Sequence, residues 1–280
     1  MNNRISFFND QFVKEDDVRL HVADLSMQRG YGVFDFFRTI DHVPLFMNDY
    51  LQRFYRSAAG LHLPAAFDHD KLGSIINELI DQNKIASSGI RLMLTGGYSP
   101  DSYEIASPNF LITQQPLKPV PAGWENGIKV ITHEFLRELP GIKSINYLTG
   151  VWLQKKVKSQ GAADVLYYRD NIVSEFPRSN FFIVTKDDVI VTPADNILHG
   201  ITRMKVLQLA ARDHATEERI VTLDEAYKAK EAFLTSTTRQ LIPVVRIDNN
   251  IIGNGNPGPV TQSLQKRFEE YCRAHIYNLT

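Results

Sequence analysis

Two α/β domains joined by a stiff connection are what this sequence predicts, on three observations. Its 280 residues exceed what one compact core commonly holds, so two domains are the natural division. Strand-like and helix-like periodicities follow one another along the whole chain. Pro116, Pro119 and Pro121 fall within residues 114–123, and prolines this dense hold neither a helix nor a central strand and stiffen a linker. The expected division is residues 1–113, a linker at 114–123, and residues 124–280.

In the first domain, residues 5–14 and 18–22 are expected as short strands around the acidic turn Glu15-Asp16-Asp17. Residues 30–40 open glycine-rich and become aromatic and apolar. This stretch reads either as a buried strand with a tight entry or as a pocket wall with Asp35 and Arg38 as inward polar groups. Leu51, Phe54, Tyr55 and Ala58 share one face of a helix over 50–59, on which Arg53 and Arg56 would ordinarily be solvated. A second helix over 70–83 turns Leu72, Ile75, Ile76, Leu79 and Ile80 inward. Residues 90–95, ended by Gly96-Gly97, and 109–113 read as strands.

The second domain begins with an extended run at 127–135 and a helix at 150–160. Hairpin-like pairs follow: 163–168 with 172–175 around Arg169-Asp170-Asn171, and 180–185 with 189–192 around Lys186-Asp187-Asp188. A helix carries Met204, Val206, Leu207, Leu209 and Ala210, and a short one covers 223–230. Residues 232–235 form a strand ending in the hydroxyl cluster Ser236-Thr237-Thr238. The last helix, 260–275, buries Leu264 and Phe268.

The formal net charge of −1 gives no reason to invoke nucleic acid or an anionic membrane surface. Cys272 is the single cysteine, so an intramolecular disulfide and a cysteine metal cluster are both excluded. No apolar run approaches the ~20 residues that span a bilayer, and residues 1–10 are polar where a signal peptide would be apolar. A cytoplasmic location is expected.

Three stretches carry candidate chemistry. Lys143 lies in Gly141-Ile142-Lys143-Ser144-Ile145-Asn146-Tyr147, between the extended run and the helix. A lone lysine at a junction is ordinarily a solvated charge. Here Pro140-Gly141 sets the approach of the backbone, Ile142 and Ile145 flank the amine, and a desolvated lysine readily loses its proton to form a Schiff base. Gly200-Ile201-Thr202 before a helix is a plausible phosphate cradle of backbone N–H groups, a hydroxyl and the positive end of a helix dipole. Ser236-Thr237-Thr238 would add donors at a strand end. Neither a Walker pattern nor Gly-x-Gly-x-x-Gly is present, and His133, His199 and His214 lack metal-ligand spacing. No metal is expected.

The ordered set Arg53, Lys143, Ser174-Glu175 with Ser179-Asn180-Phe181, Gly200-Ile201-Thr202-Arg203 and Thr235-Ser236-Thr237-Thr238 resembles the class IV aminotransferases, over nearly the whole chain. These are fold type IV enzymes of pyridoxal 5'-phosphate, and include branched-chain and D-amino-acid transaminases and aminodeoxychorismate lyase. The resemblance implies an α/β (α+β) two-domain fold with the cofactor between the domains, the second domain a barrel-like β structure with helices. It implies that Lys143 carries the cofactor as a Schiff base and that Glu175 pairs with the pyridine nitrogen, keeping the ring an electron sink. Arg53 matches the phosphate arginine, with Ile201, Thr202, Thr237 and Thr238 as further donors. Leu198 matches the residue packed on the ring face, and Tyr147 the tyrosine that reaches the ring O3′. A homodimer acting on an amino acid and a 2-oxo acid follows from the same likeness.

Departures bear on the substrate. Phe176-Pro177-Arg178 follows Glu175 where the family often has Glu-Gly, so a bulky Phe176 and a cationic Arg178 are expected to reshape the pocket. Asp101-Ser102-Tyr103 stands where D-amino-acid transaminases carry an Arg-x-His carboxylate trap, which argues against that branch. Phe34-Asp35-Phe36-Phe37-Arg38 lacks the hydroxyl that aminodeoxychorismate lyases carry there, while Asp35 fits the acid typical of transaminases. The expected reaction is transamination of a branched-chain or other apolar amino acid, with 2-oxoglutarate the usual acceptor; the alternative is the lyase, releasing pyruvate. Tyr31, Arg38 and Arg178 are the expected substrate-binding groups.

Overall fold

The computed structural model describes residues 4–277; the outer bounds of the two expected domains, residues 1 and 280, lie outside them. The chain forms two compact units. Among the described residues, one runs up to Lys118 and includes Ile142–Asn146 and Ile276; the other comprises Pro119–Gly141 and Tyr147–His275. The lysine segment therefore belongs to the first unit, not to the beginning of the second.

The first unit is built on strands β1 (Ile5–Phe8), β2 (Gln11–Lys14), β3 (Gly32–Ile40), β4 (Val43–Pro44), β5 (Ser88–Thr95) and β6 (Phe110–Pro116), in the order β2-β1-β6-β5-β3-β4. All neighbours are antiparallel. Residues 18–22, expected as a strand, form none, and β6 runs on to Pro116 inside the expected linker. β3 alternates as a strand with one packed face should: Val33, Asp35, Phe37 and Thr39 are buried, while Phe34, Phe36 and Arg38 are half-buried. A short helix α1 (Leu25–Arg29), N-capped by the Asp24 carboxylate, leads into β3. Helices α2 (Met47–Gly60) and α3 (His69–Asn83) follow β4, α3 capped by Asp68 accepting from the Lys71 N–H. The buried face of α2 is Tyr50, Leu51, Arg53, Phe54, Ser57 and Ala58.

In the second unit, β7 (Ile128–Glu134) is followed by α4 (Leu148–Trp152) and α5 (Gln154–Ser159), one expected helix divided at Leu153. Then come β8 (Asp164–Arg169), β9 (Ile172–Val173), β10 (Glu175–Phe176), β11 (Ser179–Val184), β12 (Ile190–Pro193), α6 (Ile201–Ala210), β13 (Thr216–Arg219), α7 (Leu223–Tyr227), β14 (Glu231–Ser236), β15 (Gln240–Ile247), β16 (Asn250–Ile251) and α8 (Pro259–Tyr277). The sheet order is β13-β12-β11-β14-β15-β7-β8-β9, with β10 on β11 and β16 on β15. Its two ends approach each other: the Val173 N–H donates to the Val221 carbonyl at 2.8 Å and Ile172 bridges Thr222. The structure is barrel-like, with Val130, Leu166, Phe181, Ile183, Val191, Leu234 and Val244 in its core.

Of the strands that escaped the sequence pattern, the two longest did so for physical reasons. β15 carries Pro243 opposite Phe233, and proline within an apolar run argues against a central strand because it cannot donate to the ladder. β13 reads Thr-Glu-Glu-Arg and lies at a sheet end, parallel to β12. Without an inward apolar face it gives no period to detect.

Candidate active site

In the first unit, Ile142–Asn146 adds to the free side of β3. The Phe34 N–H donates to the Lys143 carbonyl and the Ile145 N–H to the Gly32 carbonyl, both at 3.0 Å, with Ser144 opposite Val33. From α2 the Ser57 Oγ accepts from the Lys143 N–H at 3.1 Å. Both backbone groups of Lys143 are thus fixed. Gly32 allows this approach, since a Cβ there would lie 2.8 Å from the Leu94 carbonyl oxygen and 3.2 Å from Ile145 Cδ1. Ile142 and Ile145 seat the segment, Ile142 against Gly60 and Ile145 against Gly32. The Phe34 ring lies beside the amine, its centroid 4.6 Å from Nζ.

The buried face of β3 holds an ion pair. Arg53 Nε donates to Asp35 Oδ2 at 2.9 Å and Nη2 to Oδ1 at 2.6 Å, with side-chain exposures of 6% and 0%. Arg53 is therefore not on a solvated helix face; its planar fork matches the carboxylate, using two of its five donors. The guanidinium also lies 5.2 Å over the Tyr50 ring. On the half-buried face, alternation places Arg38 with Phe34 and Phe36. Arg91, opposite Phe36 on β5, stacks 5.1 Å and 5.5 Å from the Phe34 and Phe36 rings. Arg91 was missed by the sequence reading; its signal was an outward position in strand 90–95 across from an aromatic pair. The Tyr31 phenol donates to the Leu61 carbonyl at 2.6 Å, and burial raises its pKa. The Asp101 carboxylate accepts from the Tyr103 and Glu104 N–H groups, which lower its pKa, while Tyr103 is exposed.

In the second unit, Glu175 is buried on β10 and ringed by donors. Arg137 Nη1 donates to Oε1 at 2.7 Å, while the Leu198 N–H and Asn180 Nδ2 reach Oε2 at 3.1 Å and 3.3 Å. Arg137, the second residue missed, lies in the irregular segment after β7, where nothing local marks it as half-buried. Tyr167 on β8 is buried nearby, and its phenol is pushed well up by burial, with Asp164, Glu175 and Tyr147 adding to the effect and Arg137 opposing it. Tyr147 is half-buried just before α4. Phe176 does not shape a pocket: it is fully buried in the barrel core, edge-on to Phe181. Arg178 is exposed in the turn between β10 and β11.

The first turn of α6 has no side-chain cap. The Met204 N–H closes the first helical bond, to the Gly200 carbonyl, leaving the amides of Ile201, Thr202 and Arg203 ahead of the ladder. A Cβ on Gly200 would collide with Asn180 Oδ1, so only glycine brings the helix start this close to the Glu175 cluster. The Arg203 side chain is committed elsewhere, to Thr192, Pro193 and Glu218. Thr235 Oγ1 and Ser179 Oγ are buried without a protein partner, Thr237 is half-buried and Thr238 exposed in the turn beyond. Leu198 is buried one residue ahead of exposed His199. An uncapped helix start and an orphaned buried hydroxyl suit a phosphate, and a fixed carboxylate suits a ring nitrogen. No cluster of His, Cys, Asp or Glu suited to a metal occurs among the described residues.

The amino-transferase class IV family matches residues 32–247. The chain belongs to this family. Among relatives of this aminotransferase, the D-alanine aminotransferase of Bacillus licheniformis is 33% identical over 94% of this chain and 95% of its own length. A putative branched-chain-amino-acid aminotransferase of Methanocaldococcus jannaschii is 30% identical over 94% and 95%. In fold, the chain matches the branched-chain amino acid aminotransferase of Escherichia coli, at TM-score 0.89 and 24% identity, covering 96% of this chain and 94% of that one. These relatives are aminotransferases, solved structures of the same fold hold pyridoxamine 5'-phosphate or PLP, and the first two relatives differ in the amino acid their names give.

Proposed function

We propose that this aminotransferase uses pyridoxal 5'-phosphate to move an amino group between an apolar amino acid, branched-chain foremost, and a 2-oxo acid. The observation that carries the reading is Lys143, held by both backbone groups with its amine over an aromatic ring. When bound, the cofactor supplies an aldehyde for covalent attachment and a ring that accepts negative charge from the substrate Cα. The Nζ of Lys143 takes the covalent link and, once displaced by substrate, carries the proton to and from the substrate Cα. The Glu175 carboxylate pairs with the ring nitrogen. The amides of Ile201 and Thr202, with the Thr202, Thr237 and Thr238 hydroxyls, bind the phosphate, and Arg53, its fork fixed by Asp35, adds charge. Leu198 packs on the ring and Tyr147 orients O3′.

Arg38 and Arg91, on the face of β3 that bears Phe34 and Lys143, are the cations placed for the substrate carboxylate, with Tyr31 adding a hydroxyl. The Asp101 loop offers no cation of its own. The active form is a homodimer, and a chain with one cysteine needs no oxidising compartment, so we place it in the cytoplasm. A second reading, D-alanine as donor, is favoured by the 33% identity to the Bacillus licheniformis enzyme.

The test is a panel of L-leucine, L-valine and D-alanine with 2-oxoglutarate, scored by loss of the cofactor's visible absorbance and by product. The proposal expects conversion of the L-branched donors. Conversion of D-alanine alone would replace it with the second reading. Pyruvate released from aminodeoxychorismate without any acceptor would make the protein a lyase.

A further inference from the structure

Arg137 has no part in the proposed chemistry, yet it forms a close ion pair with Glu175. Its Nη1 donates to Oε1 at 2.7 Å, with side-chain exposures of 13% and 5% for the two residues. The same nitrogen donates to the Pro140 carbonyl at 3.2 Å, three residues ahead of Lys143 in the chain. Oε2 is taken by the Leu198 N–H and Asn180 Nδ2. An arginine and two neutral donors on one carboxylate fix its rotation and favour its ionised form.

We propose that Arg137 is a positioning residue that keeps Glu175 ionised and aimed, so that a cofactor ring nitrogen meets a carboxylate and never a carboxylic acid. This rests on Glu175 being the ring partner. Arg137 trades strength for certainty: its charge weakens the attraction between Glu175 and a protonated ring, and it prevents Glu175 from taking the proton itself. The titratable groups near the pair include the Tyr167 phenol on β8, which is acted on by Asp164, Arg137, Glu175 and Tyr147. Asp164 is held by Arg239, and Tyr167 stays neutral because its pKa is raised. Arg137, in direct contact with Glu175, is a cation able to set its charge.

The test compares holoenzyme of wild type, Arg137→Gln and Arg137→Lys in two pH series: cofactor absorbance and retention without amino acid, and kcat/KM. Glutamine keeps a donor and removes the charge; lysine keeps the charge and loses the fork. Removing a neighbouring guanidinium typically moves a carboxylate by about 1–3 pH units. Arg137→Gln should therefore shift the acid limb of both series upward by about 1 unit or more, mostly through kcat, and Arg137→Lys should restore most of it. Acid limbs that coincide with wild type in Arg137→Gln overturn the proposal. So does equal loss of folding or cofactor in both variants, which would make Arg137 a structural strut. Borohydride reduction of wild type separates the layers: a cofactor label absent from Lys143 would overturn the functional reading itself, whatever the pH series shows.

Discussion

The two units hold their key residues by different means. In the first, Lys143 is placed by the main chain, through two ladder bonds to β3 and one hydroxyl from α2. In the second, Glu175 is placed with the help of side chains, Arg137 and Asn180 arriving from elsewhere to join the Leu198 N–H. Main-chain pairing tolerates changes of neighbouring side chains, because the bonds survive them. A carboxylate held by converging side chains is tuned more finely and lost more easily. The lysine should accordingly be robust to nearby substitution and the acid sensitive to it.

The largest effect that sharpens this contrast is expected at the acid. On the proposed function, Glu175→Gln puts a neutral amide at the ring nitrogen and takes the carboxylate away from Arg137. Turnover should fall roughly 10²–10³-fold, while cofactor content stays near wild type. Steady-state kinetics with absorbance quantitation of bound cofactor checks both halves. Surviving turnover would mean that another acid pairs with the ring.

Next is the ion pair behind β3. Asp35→Asn leaves the buried Arg53 guanidinium without its carboxylate, and breaking a buried pair costs about 3–5 kcal/mol. Denaturant unfolding should show the midpoint falling without a change in slope. A shift below about 1 kcal/mol would mean that the pair behaves as a solvated one.

The fold was legible in the sequence where a period of 2 or 3.6 had an apolar face to reveal it. α2, α3, β3 and β5 all have one, β11 shows itself as a short buried apolar run, and the glycine before α6 stands where its helix start was expected. The site was legible as a list of residue types but not as partners. Arg53 reads as solvated by its place in the helix, and only its opposition to Asp35 across the packing layer buries it. Arg137 sits in a segment with no period at all, and its partner is 38 positions away. Phe176 was placed in a pocket because it follows Glu175, whereas a strand's alternation turns adjacent side chains to opposite faces. That rule sends it into the barrel.

A smaller effect tests the robust side of the comparison. Ser57→Ala removes one acceptor from the Lys143 N–H and should cost about 1 kcal/mol in unfolding experiments. Turnover should change by less than about tenfold, because the two ladder bonds remain. A loss as large as that in Glu175→Gln would mean that the hydroxyl, not the strand pairing, places the lysine. The smallest effect is expected at Arg178. Exposed in its turn, it should yield to alanine with no measurable change in melting temperature or cofactor content. An increase in the amino-acid KM in Arg178→Ala would return it to the carboxylate site.

The central claim is that Lys143 is the residue that holds the cofactor, and borohydride reduction of the holoenzyme followed by peptide mapping tests it most directly. The account predicts one modified peptide, carrying the phosphopyridoxyl mass on Lys143. A label on Lys155 or Lys156, or on no lysine at all, would contradict it.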